Sequence, residues 1–348
     1  MIEAWLNRRW YGTARVPVLQ PLAWLYGAAV LGRRAAFRHG WRRSRRAGAP
    51  VVVIGNLTVG GTGKTPLAIW LARQLTQRGI IVGLVSRGYG RASGGVRVLD
   101  ARSSWREVGD EPLLLHRRTG CATAVARDRV AAAAALIERG AQVILADDGL
   151  QHLPLERDCE IVVVDGSRGF GNGRLLPAGP LREPLSRLRT VDALVVNGPI
   201  EHPSLRAGEG RREAIRMALV PGEPRRLLSG ETRPLQSFRG RVHAVAAIGH
   251  PERFFRELAA HGLTPVPHPF PDHHPLSAAE LDFGDDRPVL MTEKDAVKCA
   301  QPADPRLWYV PVEACFSDAD AQRLIGLVMR KIESPSYSGS QRRGCPSA

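Results

Sequence analysis

The sequence predicts an α/β protein: a doubly wound, mostly parallel sheet with a second, smaller α/β domain behind it. Three observations carry this expectation. Short runs that are apolar throughout alternate with helical patterns, as strands buried on both faces of a parallel sheet do. A glycine-rich loop joins one of those runs to a helix opening at Lys64-Thr65. A Gly/Pro/Arg-rich stretch over 198–234 then separates this array from a second set of strands and helices.

In chain order, the strand candidates are 51–54, 80–86, 142–146, 161–164 and 193–197. Helical patterns such as 66–75 and the alanine-rich 127–139 lie between them. The second set comprises 242–248, a helix-like 251–261, 289–292, 308–312 and a helix over about 317–332. Four regions follow: a basic amphipathic segment, 1–46; a larger domain, 47–234; a smaller α/β domain, 235–333; and a Ser/Pro/Gly-rich tail, 334–348, expected to be disordered.

The run Gly60-Gly61-Thr62-Gly63-Lys64-Thr65 follows the apolar Val51-Val52-Val53-Ile54. Strand, glycine loop, Gly-Lys-Thr and helix form the context of a phosphate-binding P-loop. Glycines let backbone N–H groups turn onto phosphate oxygens, and the helix N-terminus adds its positive end. Lys64 is placed to reach the β- and γ-phosphates of ATP, and the Thr65 hydroxyl to bind Mg²⁺. The usual pattern has Gly five residues before Gly63, where Thr58 stands; Gly60 and Gly61 supply flexibility nearer the phosphates. A second candidate metal element is Val143-Ile-Leu-Ala-Asp147-Asp148, an apolar strand ending in two acids beside the expected Mg²⁺.

Three further motifs are ambiguous by pattern. Asp110, in Gly109-Asp-Glu-Pro112, reads as a helix N-cap. His273, in Pro271-Asp-His-His-Pro275, is as well explained by loop polarity as by proton transfer. The loop Leu176–Pro184 displays Arg182 and Glu183; such an arginine suits a phosphate or carboxylate, and a simple loop salt bridge is the alternative.

The formal net charge of +15 calls for an anionic partner. Residues 1–46 hold ten arginines, no lysine and one acid, Glu3, so nine of the fifteen net positive charges sit there. They flank aromatic residues and an apolar run, Pro21–Gly32, that is only about 18 Å long as a helix, against a hydrocarbon core of about 30 Å. A spanning helix is excluded on length, and an interfacial helix on an anionic leaflet fits. A basic helix packed on the core is the plainer alternative. A nucleic-acid partner is disfavoured, because the charge clusters beside apolar residues and no helicase-like motif series occurs. Five scattered cysteines without C-x-x-C spacing argue against a disulfide framework or zinc site and suit a reducing cytoplasm.

Taken together, Ile54-Gly-Asn-Leu-Thr-Val-Gly-Gly-Thr-Gly-Lys-Thr-Pro66, Ser86-Arg-Gly-Tyr-Gly-Arg91, Gly109–Pro112, Asp147-Asp-Gly-Leu-Gln-His152, the 176–184 loop, Ala247–Phe255, Asp272-His273 and Met291-Thr-Glu-Lys-Asp295 occur in this order. In that order they resemble the tetraacyldisaccharide 4′-kinase family, the lipid A 4′-kinases, over roughly 10–330. One departure is His250, where the family pattern has Asn. The resemblance implies a peripheral enzyme on the cytoplasmic face of the bacterial inner membrane. Such an enzyme uses ATP to phosphorylate the 4′-hydroxyl of an acylated glucosamine disaccharide 1-phosphate. By the same resemblance Asp110 is the base for that hydroxyl and His273 its partner. The competing class is a membrane-associated regulatory P-loop ATPase of the partitioning or insertion type. Its loop usually carries an early Lys, and Val59 stands before the two glycines here.

Overall fold

Val51–Gly55, the first strand, lies at the centre of the larger sheet with every residue buried. The computed structural model describes residues 6, 9–12, 17–91, 94–206, 213–299 and 304–333. In chain order its strands are β1 (Val51–Gly55), β2 (Val82–Ser86), β3 (Arg97–Val98), β4 (Ala122–Val125), β5 (Val143–Asp147), β6 (Cys159–Asp165), β7 (Ala193–Asn197), β8 (Ile215–Pro221), β9 (Arg225–Arg226), β10 (Arg241–Ala246), β11 (Thr264–Pro269), β12 (Val289–Thr292), β13 (Leu307–Val310) and β14 (Val312–Cys315). The longer helices are α1 (Gln20–Arg38), α2 (Lys64–Thr76), α3 (Asp110–Thr119), α4 (Arg129–Ile137), α5 (Pro251–Ala260) and α6 (Asp318–Ile332).

Nine strands form one sheet in the order β14-β8-β7-β6-β1-β5-β2-β4-β3. Its interior pairs are parallel, and only β14 and β3, at the edges, run antiparallel. Alternation along β1 sends Val52 and Ile54 to one face and Val51 and Val53 to the other. The first pair packs under Leu67 and Leu71 of α2 and Leu324 and Val328 of α6. The second packs with Ala132 and Leu136 of α4. Both faces being covered explains why the strands read as apolar throughout, each buried Val or Leu contributing about 1.5–3 kcal/mol. Asp147, Asp165 and Asn197 end β5, β6 and β7, so the polar residues collect along the carboxyl edge, where ligands of open α/β sheets bind.

The smaller sheet has the order β11-β10-β12-β13-β9, parallel except for β9. The expected strand over 308–312 is two strands. The chain leaves the smaller sheet at Pro311, and β14 pairs antiparallel with β8 of the larger one. The terminal helix α6, expected in the smaller domain, instead packs on the larger sheet through Leu324, Val328 and Ile332. The stretch 198–234 holds β8, whose alternating burial marks it as a strand near the sheet edge. The tail 334–348 lies outside the described residues.

Helix α1 lays Ala23 and Gly27 on the protein and leaves Leu22, Trp24, Leu25 and Leu31 exposed. A Cβ at Gly27 would stand 2.9 Å from the tip of the Leu175 side chain, so α1 lies close against the chain entering the 176–184 loop here. Among the described residues, no helix is long and apolar enough to cross a membrane.

Candidate active site

The loop between β1 and α2 turns on Gly60 and Gly63, both at φ +96°, a conformation that favours glycine. Gly63 is the N-cap of α2, and a side chain there would strike the Asn197 amide at 2.9 Å. The Asn197 amide in turn donates to the Thr62 carbonyl at 3.1 Å, tying the loop to the end of β7. Lys64 and Thr65 thus open a helix whose first N–H groups face a cleft of about 1160 Å³.

The two acids after β5 part company. Asp147 is buried and its Oδ2 lies 3.5 Å from the Thr65 hydroxyl, which donates to it. Its Oδ1 is buried without a partner. Burial first, then the Glu111 charge, pushes this carboxyl up to about 7 against the pull of Lys64. An orphaned carboxylate oxygen beside a P-loop threonine fits a hard divalent cation. Among the described residues no three His, Cys, Asp or Glu side chains gather around a metal, but Mg²⁺ takes most of its ligands from phosphates and water. Asp148, at φ +49°, is held by other partners. Its carboxylate meets the Lys64 ammonium at 3.6 Å and accepts from Arg182 at 3.2 Å. Burial acts to raise its pKa, and the charges of Lys64, Arg182 and Arg129 outweigh it, holding the group well below the usual range. Asp148 is therefore an ion-pair partner of Lys64 and Arg182 rather than an open ligand.

Arg182 and Glu183 do not pair with each other. Arg182 lines the cleft. Glu183 is 3% exposed, and its carboxylate accepts from Arg34 of α1 at 2.8 Å and from Gln151 at 3.0 Å, with Arg187 at 3.5 Å. Its expected contact with substrate is replaced by a tether between α1 and the cleft floor.

Asp110 is not an N-cap. That position is Gly109, at φ +93°, and the Asp110 Oδ1 accepts from the next backbone N–H at 2.9 Å. Its Oδ2 lies 2.8 Å from Nδ1 of His273. The loop after β11 therefore brings His273, at φ +63°, to the first turn of α3, 163 positions away in sequence. His273 lies on the cleft wall with its ring 5.2 Å from that of Tyr89, while Asp110 behind it is 4% exposed. Burial acts to raise the Asp110 pKa, but the hydrogen bond to His273 and the Lys294 charge lower it further. The same hydrogen bond raises the pKa of His273 against its own burial. Behind the P-loop, a side chain built at Gly249 would stand 3.4 Å from Asp272 and 3.5 Å from the Gly61 nitrogen, so the His273 loop and the P-loop share one cleft.

A P-loop, a buried acid aimed at its threonine and a cross-unit Asp–His pair can together bind a nucleoside triphosphate and take a proton from an acceptor hydroxyl. A family model for tetraacyldisaccharide-1-P 4′-kinase (LpxK) matches residues 15–331. The chain belongs to this family. A tetraacyldisaccharide 4′-kinase of Alkalilimnicola ehrlichii is 53% identical over 313 residues, covering 89% of this chain and 92% of that one. The enzyme of the same name from Methylobacillus flagellatus is 45% identical, covering 94% and 97%. Among solved structures, LpxK of Aquifex aeolicus in complex with ATP superposes with a TM-score of 0.74 at 27% identity, covering 90% of this chain and 98% of that one. As a member of the 4′-kinase family the chain is a phosphotransferase acting on a hydroxyl group, which sets aside the regulatory ATPase.

Several residues in or beside the cleft of this 4′-kinase carry no role that sequence pattern alone assigns. Arg253 of α5 bridges Asp165 at 3.2 Å and Asn197 at 3.3 Å, linking the smaller unit to the P-loop support. Arg168 donates to the Gly61 carbonyl and lies 5.1 Å over the Tyr11 ring. Lys294 sits among three carboxylates. Arg168 stands alone in a loop, and Arg253 falls within the motif Ala247–Phe255 without a pattern that gives it a role. The motif Met291–Asp295 does contain Lys294, though nothing in its pattern gives the lysine a role.

Proposed function

We propose that this chain transfers the γ-phosphoryl of ATP to the 4′-hydroxyl of a tetraacylated glucosamine disaccharide 1-phosphate. The observation that carries the reading is the Asp110–His273 pair in the same cleft as Lys64 and Thr65. A sugar hydroxyl is a poor nucleophile, and phosphoryl transfer depends mainly on positioning and charge neutralisation. The P-loop N–H groups and Lys64 hold the β- and γ-phosphates. Thr65 and Asp147 are the residues that would hold Mg²⁺, which supplies charge neutralisation at the transferring group. The Asp110–His273 pair takes the proton of the hydroxyl. His273 faces the cleft and meets the hydroxyl, and its Nδ1 hydrogen bond to the buried Asp110 behind it lets the two hold the proton and its charge as one unit. Because the pair spans two units, it assembles only when they meet, which limits ATP hydrolysis in the absence of the lipid.

The acyl chains and 1-phosphate need a docking surface, and α1 supplies one. Its exposed Leu22, Trp24, Leu25 and Leu31 adjoin Arg33, which lines the cleft mouth together with Tyr26. This supports a peripheral enzyme on an anionic leaflet. Each basic residue near such a surface contributes about 1 kcal/mol.

The test is phosphoryl transfer from γ-labelled ATP to the tetraacyldisaccharide 1-phosphate in mixed micelles. Label enters the lipid with the natural chain, and Lys64→Ala lowers the rate by about 10²–10³ while the fold persists. ATP hydrolysis without labelled lipid, stimulated by liposomes alone, overturns the reading in favour of a membrane-regulated ATPase.

A further inference from the structure

The segment Thr292-Glu293-Lys294-Asp295 uses every side chain. Thr292 caps the short helix Glu293–Ala296 by accepting from the Asp295 N–H. Asp295 accepts from the Ala247 N–H at 3.0 Å and pairs with the buried Lys298 at 2.6 Å, fixing the end of β10; the His273 N–H donates to the Ala247 carbonyl at 3.3 Å. Glu293 reaches across to Arg118 at the end of α3. The remaining side chain, Lys294, points between the units. Its ammonium lies 3.1 Å from Glu111, 3.3 Å from Asp272 and 3.9 Å from Asp110.

We propose that Lys294 is a positioning residue for phosphoryl transfer: it latches the smaller unit onto α3 and fixes the Asp110–His273 pair in its working arrangement. The proposal rests on the reading of that pair as the proton acceptor. Three carboxylates converge here from two units: Asp110 and Glu111 on α3, and Asp272 on the loop after β11. They face an ATP site that will bring more negative charge. Without a cation between them, the two units would repel at the point where the pair must close. Lys294 is 17% exposed, so this charge is poorly screened. The geometry is mutual. Lys294 holds Asp272, the neighbour of His273, and Glu111, the neighbour of Asp110, so both members of the pair are held through adjacent residues. The other groups facing the pair are Tyr89, against the His273 ring, and Lys298, whose charge reaches Asp110. The raised pKa of Lys294, kept up by these carboxylates against burial, agrees with a permanent cation.

The variants are Lys294→Met and Lys294→Gln, which remove the charge, and Lys294→Arg, which keeps it. All are made in the full chain and checked for fold by circular dichroism. Both neutral variants should lower kcat about 10–100-fold, less than the full acid–base contribution because Lys294 acts through the pair, with KM for ATP changed less than about threefold because the P-loop is untouched. Loss of the neighbouring cation should move the acidic limb of the kcat–pH profile up by about one unit, and Lys294→Arg should bring it back. Independently of any substrate, the His273 imidazole titration followed by NMR in nucleotide-free protein should move to higher pH in the neutral variants and return in the arginine one. An unmoved His273 titration, or kcat within about twofold in the neutral variants, overturns the proposal. Failure of the natural chain to phosphorylate the lipid would instead remove the functional reading, while the NMR arm still decides the role of Lys294.

Discussion

At the scale of single residues, the site works by separating groups that look alike in sequence. Asp147 and Asp148 are neighbours, yet one faces Thr65 with an orphaned oxygen and the other is consumed by Lys64 and Arg182. The positive φ of Asp148 makes the difference, and no sequence pattern reports a backbone angle. His152 carries a testable consequence. Its Nε2 is buried without a partner, and burial together with the Arg129 and Arg157 charges pushes its pKa down to about 4. The folded chain therefore excludes a proton that the unfolded chain accepts below about pH 6.5. Stability contributed by neutral His152 is present above that pH and is lost as pH falls from 6.5 toward 4. Melting temperatures of the natural chain and His152→Gln, measured between pH 7 and pH 5, should show a smaller decline in the variant. Parallel curves would mean His152 is solvated.

At the scale of elements, the strands of the parallel sheet were legible because both their faces are covered, so 51–54, 142–146, 161–164 and 193–197 read as apolar runs, broken only by Gln142 and Asn197 at their ends, that lie within β1, β5, β6 and β7 or begin one residue before. β8 and β14 were not, because their pattern is half polar and their pairing is set by tertiary contact. The P-loop could be read at single-residue detail, since glycines at fixed spacing encode backbone shape. The Asp110–His273 partnership came only through the family resemblance, because the two lie 163 positions apart and no local pattern joins them. His250 shows a local rule broken. It occupies the N-cap of α5, makes no side-chain cap, and leaves Nδ1 buried and unbonded. Restoring a capping side chain with His250→Asn should stabilise by about 1 kcal/mol, read as a rise in melting temperature of about 2–4 °C. An unchanged or lower value would show that position 250 is held for another reason. Helix α1 makes a second prediction at this scale. Replacing Trp24 and Leu25 with Ser should release the chain from anionic liposomes in flotation while leaving its fold intact, and raised salt should weaken binding of the natural chain. Flotation unaltered by both treatments would place the membrane contact elsewhere.

At the scale of the whole molecule, two units share one cleft. The larger brings the P-loop, Asp147 and Asp110; the smaller brings His273, Lys294 and Arg253, and the final strand and helix return to the larger sheet and bind the two together. Proton removal depends on Asp110 and His273 acting as one group formed across that junction. A double-mutant cycle on kcat with the tetraacyldisaccharide 1-phosphate tests it most directly. Asp110→Ala and His273→Ala should each lower kcat by about 10²–10⁴, ATP binding should survive in both, and the double variant should be little worse than the poorer single one, as residues acting as a unit behave. Small losses that add in the double variant would contradict the pair.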